Sequence, residues 1–196
     1  MKNNIVRQKG STQSKPKGFT LLELLIVIAV LAVLATIAVL IINPVEYVRQ
    51  ARDSQRISDL ATLKKAVDLY MNGASVAFAA ANCAPTKGYV TSGATNPFAS
   101  TTITTLVATS STALNGTGWI GAIDFTTILG GSPLAKLPID PVNSGGNFYS
   151  FACNAANNTY EMDTSRESAK YAPMELAAKD GGNNDNYYEV GNSLVF

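Results

Sequence analysis

The chain has 196 residues, 46% of them apolar and 15% charged, with a formal net charge of +1. That length suits one modest domain plus an appendage, and the near-neutral balance gives bulk electrostatic attraction to nucleic acid little support. No histidine is present, which excludes Ser-His-Asp and Cys-His nucleophile systems and imidazole-ligated zinc.

Charge is unevenly distributed along the chain. Residues 1–18 carry Lys2, Arg7, Lys9, Lys15 and Lys17 and no acidic residue, leaving ten basic against fourteen acidic side chains in the remainder. The stretch from Phe19 to Ile42 then has Glu23 as its only strongly polar member, with Thr20 and Thr36 as mild ones. As a helix it would be ~36 Å long, enough to cross a hydrocarbon core of ~30 Å. The basic flank predicts an N-terminus on the cytoplasmic side and everything after Asn43 across the membrane. An ordinary secretory signal fits poorly, because the apolar run is long and Asn43-Pro44-Val45 follows it in place of a small-residue cleavage site.

Pro44 lacks an N–H and crowds the preceding turn, so a kink or local melting is expected at Asn43-Pro44. From Val45 to Met71 the pattern is amphipathic: Ile57, Leu60, Leu63, Val67 and Tyr70 recur every three or four residues, and most charged residues fall elsewhere. Asn72-Gly73 is a stop signal. The expectation is one helix from about Phe19 to Asn72, apolar all round in its first half and one-faced in its second. No heptad pattern is sustained long enough for a coiled coil.

The remaining residues, 74–196, make a small domain. Residues 74–81 are alanine-rich, and residues 91–117 include 13 Ser or Thr and no charge. The second of these reads as a solvated surface excursion, with short strands around Ile103 to Val107. A helical turn is expected at Asp124 to Leu129. After Asn147 the segments "NFYSFAC", "NTYEMDT" and "NYYEVGNSL" are short, aromatic-bearing runs separated by turn residues. Three to four antiparallel strands packed on the amphipathic helix half give an α+β fold. Cys83 and Cys153, both beyond the apolar run, form an even pair suited to a disulfide in an oxidising compartment. They lack the C-x-x-C spacing of a redox or metal pair.

The residues Lys17-Gly18-Phe19-Thr20-Leu21-Leu22-Glu23, followed by an unbroken apolar run, resemble the class III signal of type IV pilins and type II secretion pseudopilins. The resemblance implies a leader at 1–18, cleavage by a prepilin peptidase between Gly18 and Phe19, and N-methylation of Phe19. It implies a transmembrane and assembly half-helix at 19–43, an amphipathic half at 44–73 and a globular head at 74–196. It further implies a subunit held in the cytoplasmic membrane, in contact with lipid and inner-membrane assembly machinery, and then polymerised outside it. The stretch from Trp119 through Tyr160 is similar, more weakly, to the globular end of the same proteins.

Glu23 has two readings. It balances the dipole of its own helix and pairs with the α-ammonium of its own Phe19, or it receives the ammonium of a neighbouring subunit inside an apolar bundle. An ionised carboxylate within a membrane needs a partner, and only cleavage after Gly18 creates that ammonium. A minor pilin, a pseudopilin of a secretion or competence system, and a monomeric membrane-anchored binding module are the alternatives to a filament subunit.

No P-loop or G-x-S-x-G pattern is present, and the one S-x-x-K spacing, Ser14 to Lys17, sits in the basic leader with Pro16 inside it. The chain reads as a non-enzyme with no required cofactor. Asp180, Asn183, Asn184 and Asp185 offer hard oxygens on a glycine-loosened loop, a calcium candidate or an ordinary Asn/Gly turn between strands. Some pseudopilins bind calcium in a late loop.

Gly18→Val should block cleavage, because a branched side chain occupies the position next to the cut. Intact-mass spectrometry of membrane fractions checks this: the substituted chain should keep residues 1–18, and their loss would place the cut elsewhere.

Overall fold

The computed structural model describes residues 18–73, 78–93, 95–100, 102–171 and 177–196. The basic leader side chains, Lys2 to Lys17, and half of the alanine-rich 74–81 segment lie outside the described residues. The chain divides into two compact units, one ending at Asn43 and one beginning at Pro44.

The first unit holds α1, Leu21–Ile42. The second holds α2, Pro44–Gly73, then β1 (Lys87–Val90), β2 (Thr105–Ala108), a 3-10 turn at Phe125–Thr127, β3 (Tyr149–Asn154), β4 (Thr159–Thr164) and β5 (Tyr188–Gly191). The architecture is α+β. The single helix expected from Phe19 to Asn72 is two helices. Asn43 stands in the left-handed region at φ 47° and caps α1, while Pro44 opens α2 at the helix position where its missing N–H costs nothing. The residue before a proline is pushed out of the helical region, and Asn tolerates the left-handed alternative better than most residues.

The sheet has the order β2-β1-β3-β4-β5. All neighbours are antiparallel except β1 and β2, which run parallel. One of its strands, β1, departs from the sequence expectation, while β2 falls at the short strand expected around Ile103 to Val107. β1, "KGYV", carries a glycine that normally weakens a strand. Here Gly88 is required, because a Cβ would fall 2.9 Å from both Leu106 and Phe98. The Ser/Thr-rich segment is also more than a solvated loop. It supplies edge strand β2, and its Phe98 and Ile103 pack with Ala152 and Phe196 on the second face of the sheet. The register puts Gly88 opposite Ala152, and these two small residues make the shallow floor on which the larger ones sit.

The first face carries the main core. Tyr89, Phe151 and Met162 lie in one row across β1, β3 and β4 and pack with Leu60, Leu63 and Val67 of α2, together with Trp119, Ile123 and Phe125 from the connecting segment. The apolar spacing of α2 is thus what docks it on the sheet. Two tyrosines reach back from the sheet to α2: the Tyr149 hydroxyl donates to Asp59 at 2.8 Å, and the Tyr160 hydroxyl donates to Asp68. Burial and then these carboxylates push both phenols well above their ordinary range.

Arg56 is fully buried on the same helix. Its guanidinium donates to Asp53 one turn earlier at 2.7 Å, to Asp140 at 2.6 and 3.1 Å, and to Glu167. Arg52 donates to Glu167 from its exposed side at 3.3 Å. Asp140 also accepts the amides of Val142 and Asn143 at 2.8 and 2.9 Å, and Asp53 accepts those of Glu167 and Ser168 at 3.0 and 2.8 Å. One cation on α2 therefore fixes two loops distant in sequence. Burial works to raise Asp53, Asp140 and Glu167, but hydrogen bonds and the arginine charge outweigh it and hold all three below the usual carboxylate range.

Cys83 and Cys153 are bonded to each other, with Cα atoms 5.0 Å apart and a sequence separation of 70. The bridge ties the segment after α2 to β3, and the amide of Ala155 donates to the carbonyl of Cys83 at 2.9 Å beside it.

Two outcomes follow for the purified full chain in detergent, read through the fluorescence of Trp119, its single tryptophan. Arg56→Met should lower unfolding stability by ~3–5 kcal/mol in a urea titration, since it leaves buried carboxylates without their cation. Because those carboxylates are lowered, their contribution is complete above the unfolded values of 3.8 and 4.5 and is lost as pH falls through their folded values. Wild type should lose stability on acidification below about pH 4, and Arg56→Met should flatten that limb.

The disulfide carries its own test. Native alkylation should label neither cysteine, and Cys83→Ser with Cys153→Ser should cost ~4 kcal/mol by the loop-entropy relation. An equal urea midpoint for the double variant would refute that value.

Candidate functional site

The N-terminal unit begins at a capped helix. Thr20 sits at φ −80° and ψ 151°, outside the helix, and its hydroxyl accepts the amide of Glu23 at 3.2 Å. The amide of Leu24 donates to the Thr20 carbonyl at 3.2 Å and closes the first turn. Thr20-x-x-Glu23 is the spacing of a capping box, and an acidic residue in this turn suits the positive end of the helix dipole. The Thr20 half of that box is in place, and Glu23 stands in the first turn of α1. Its carboxylate is exposed, however, and no donor within the described residues reaches it.

Every described side chain of α1 is exposed, from Leu21 at 85% to Ile42 at 53%. The run Leu21–Val39 is long and apolar enough to cross a membrane. Its one internal hydroxyl, on Thr36, donates to the carbonyl of Ala32 at 2.9 Å and so leaves no unmet donor on the surface. No described side chain of this helix is buried. Its stability in place has to come from lipid or from other protein.

Phe19 is 84% exposed just ahead of the cap. Gly18 has open space around it: a Cβ there would meet no atom within 4 Å, and its φ lies outside the left-handed range. Neither packing nor backbone conformation in the described residues requires a glycine at this position.

In the second unit, the structure separates the four residues of the late polar loop. Asp180 accepts the amides of Gly182 and Glu189, both at 2.9 Å. Asn184 accepts the amide of Asn186 at 3.2 Å and donates to the carbonyl of Pro97 at 2.5 Å. Asn183 and Asp185 are exposed. Turn bonding thus engages two of the four and points the loop at β5.

Beneath that loop lies a group that sequence reasoning missed. Glu161 and Asp163 of β4 and Glu189 of β5 are all buried, with one carboxylate oxygen from each within 4.8 Å of the others. Glu161 and Asp163 alternate with the core residues Tyr160 and Met162, and in "NTYEMDT" that alternation reads as a strand with a wet face. Only the pairing of Asp163 with Glu189 and the covering of the second face bring the three together out of water.

Residues 13–39 match the family model for the prokaryotic N-terminal methylation motif. No curated protein and no solved structure matches the chain. The match spans Gly18, Phe19, the Thr20 cap, Glu23 and nearly all of α1, and it implies processing by a prepilin peptidase and anchoring in a membrane before assembly. The chain thus carries, on an exposed apolar helix of its own, the class III signal characteristic of type IV pilins and pseudopilins.

Proposed function

We propose that this chain is a structural subunit of a type IV pilus-like filament. It is cut by prepilin peptidase after Gly18, N-methylated on Phe19, and polymerised through α1 with its head outside the cytoplasmic membrane. The observation that carries this reading is α1 itself: an apolar helix of twenty-two residues whose described side chains are all exposed, with a single carboxylate, Glu23, in the first turn.

Each part of the motif has a task. The open surroundings of Gly18 support a requirement imposed from outside the chain, by an enzyme that must reach the peptide bond. Phe19 becomes the first residue and its amine becomes a cation. Thr20 satisfies the Glu23 amide, so the Glu23 carboxylate is left to accept a charge. An apolar bundle penalises an unpaired ion, which makes the ammonium of a neighbour's Phe19 the matching partner and sets the axial register of one helix against the next. Before cleavage a peptide bond stands where the ammonium would be. Assembly is therefore gated by proteolysis. While it waits, the subunit is held with its N-terminus inside and α1 in lipid.

The Glu23→Gln variant, expressed without wild-type copies, checks the pairing. It should be processed and should stay in the membrane, because neither the cut site nor the apolar surface changes, yet few or no filaments should be seen by electron microscopy. Filaments of wild-type number and length would overturn the intermolecular role. A mature wild-type chain that gives neither filaments nor helix-to-helix crosslinks would instead make this a monomeric anchored module.

A further inference from the structure

The first turns of α2 carry a surface unlike the rest of that helix. Val45, Tyr47 and Val48 are 59%, 60% and 53% exposed. They are three of the four large apolar side chains that α2 exposes, the fourth being Leu69 near its far end. Beyond Val48, the exposed positions up to Lys65 are alanine or polar.

The polar groups of these turns are sorted by side. Glu46 faces the head, where its Oε1 accepts the amide of Ala169 at 2.6 Å and the Gln50 side chain at 3.5 Å. Arg52 is likewise drawn in, donating to Glu167 at 3.3 Å. Arg49 stays outward, half-exposed and 4.0 Å from Glu46. Residues 44–52 hold no acidic residue besides Glu46. The outward side therefore presents two valines, a phenol and a guanidinium.

Chain length decides what this surface meets. The apolar run Leu21–Val39 is ~28 Å long as a helix, close to the ~30 Å of a hydrocarbon core. Val45 follows the end of α1 at Ile42 by three residues, which reach at most ~11 Å even when fully extended. A headgroup layer is itself ~5–8 Å thick on each side of the core. Whichever way α2 points, its first turn is within reach of that layer. The composition suits it. A tyrosine ring is apolar in its body and polar at its tip, and is favoured at membrane–water boundaries. An arginine lays its stem along apolar surface and offers its guanidinium to phosphate.

We propose that, in the subunit before assembly, Val45, Tyr47 and Val48 lie among the lipid headgroups of the bilayer that α1 crosses, with Arg49 on their phosphates. The start of α2 is thereby moored to the membrane surface, and assembly has to lift it off. This inference rests on reading α1 as a membrane span.

The test places the full chain, at low protein density, in phosphatidylethanolamine–phosphatidylglycerol vesicles containing lipid brominated either near the headgroup or near the chain ends. Wild type supplies the baseline, since Trp119 is fully buried in the head and bromine should leave its emission unchanged. Tyr47→Trp should lose most of its added emission to bromine near the headgroup and less to bromine at the chain ends. Val30→Trp, at the middle of Leu21–Val39, should show the reverse order. Leu69→Trp, also exposed but at the other end of α2, should lose little to either. Quenching of Val30→Trp without quenching of Tyr47→Trp would overturn the mooring and leave the membrane span intact. An unquenched Val30→Trp would overturn both. Equal quenching of Leu69→Trp and Tyr47→Trp would show that the first turns are not the anchor. A Tyr47→Trp emission shifted to the blue but untouched by bromine would give the surface to a second copy of the chain, and would equally overturn the proposal.

Discussion

Arg56 has no contact with water, and the arrangement of the head follows from how its charge is met. A guanidinium has five donors in a planar fork, and here the fork reaches Asp53 on its own helix, Asp140 ahead of β3 and Glu167 after β4. The last two segments are irregular; the first also seats Leu137 in the core, and the arginine fixes where each of them meets α2. Through these ion pairs the ends of β3 and β4 are set against α2. Burying such a network seldom adds net stability over an apolar equivalent, so its contribution is better understood as geometry: any other placement of those loops leaves a charge alone in the core.

What the sequence discloses depends on whether a feature is local. The cap at Thr20, the apolar run and Glu23 are encoded in adjacent residues, and the helix appears where they place it. The break at Asn43 is legible from Pro44 for the same reason, although the continuous helix inferred across it is not what forms. The cysteine pair is legible by parity and by its place beyond the apolar run. The three aromatic segments after Asn147 become β3, β4 and β5. By contrast, β1 is hidden because Gly88 is unfavourable for a strand except where Phe98, Ile103 and Leu106 need its missing side chain, a fact of distant packing. The same packing turns part of the Ser/Thr-rich segment from a solvated excursion into the cover of a second face.

The carboxylates of β4 and β5 are illegible for a related reason. Alternating acidic residues in a strand ordinarily mark the solvent side, and nothing in "NTYEMDT" shows that another layer closes over it. Asp163 and Glu189 meet through strand register, which is a property of the sheet and not of either segment. The polar loop, conspicuous by its density of Asp and Asn, is bonded largely to backbone groups. Composition marks the cover, while the buried charge beneath it is distributed over residues that look unexceptional in sequence.

The bridge between Cys83 and Cys153 has a mechanical meaning beyond its effect on folding. It leaves the chain ten residues after α2 and re-enters at the second-last residue of β3. Tension entering along α2 and leaving through β4 is therefore carried across a covalent shortcut, and the chain between the two sulfurs bears none of it. Even with the sheet pulled apart, about 240 Å of extended chain stays out of reach of the load.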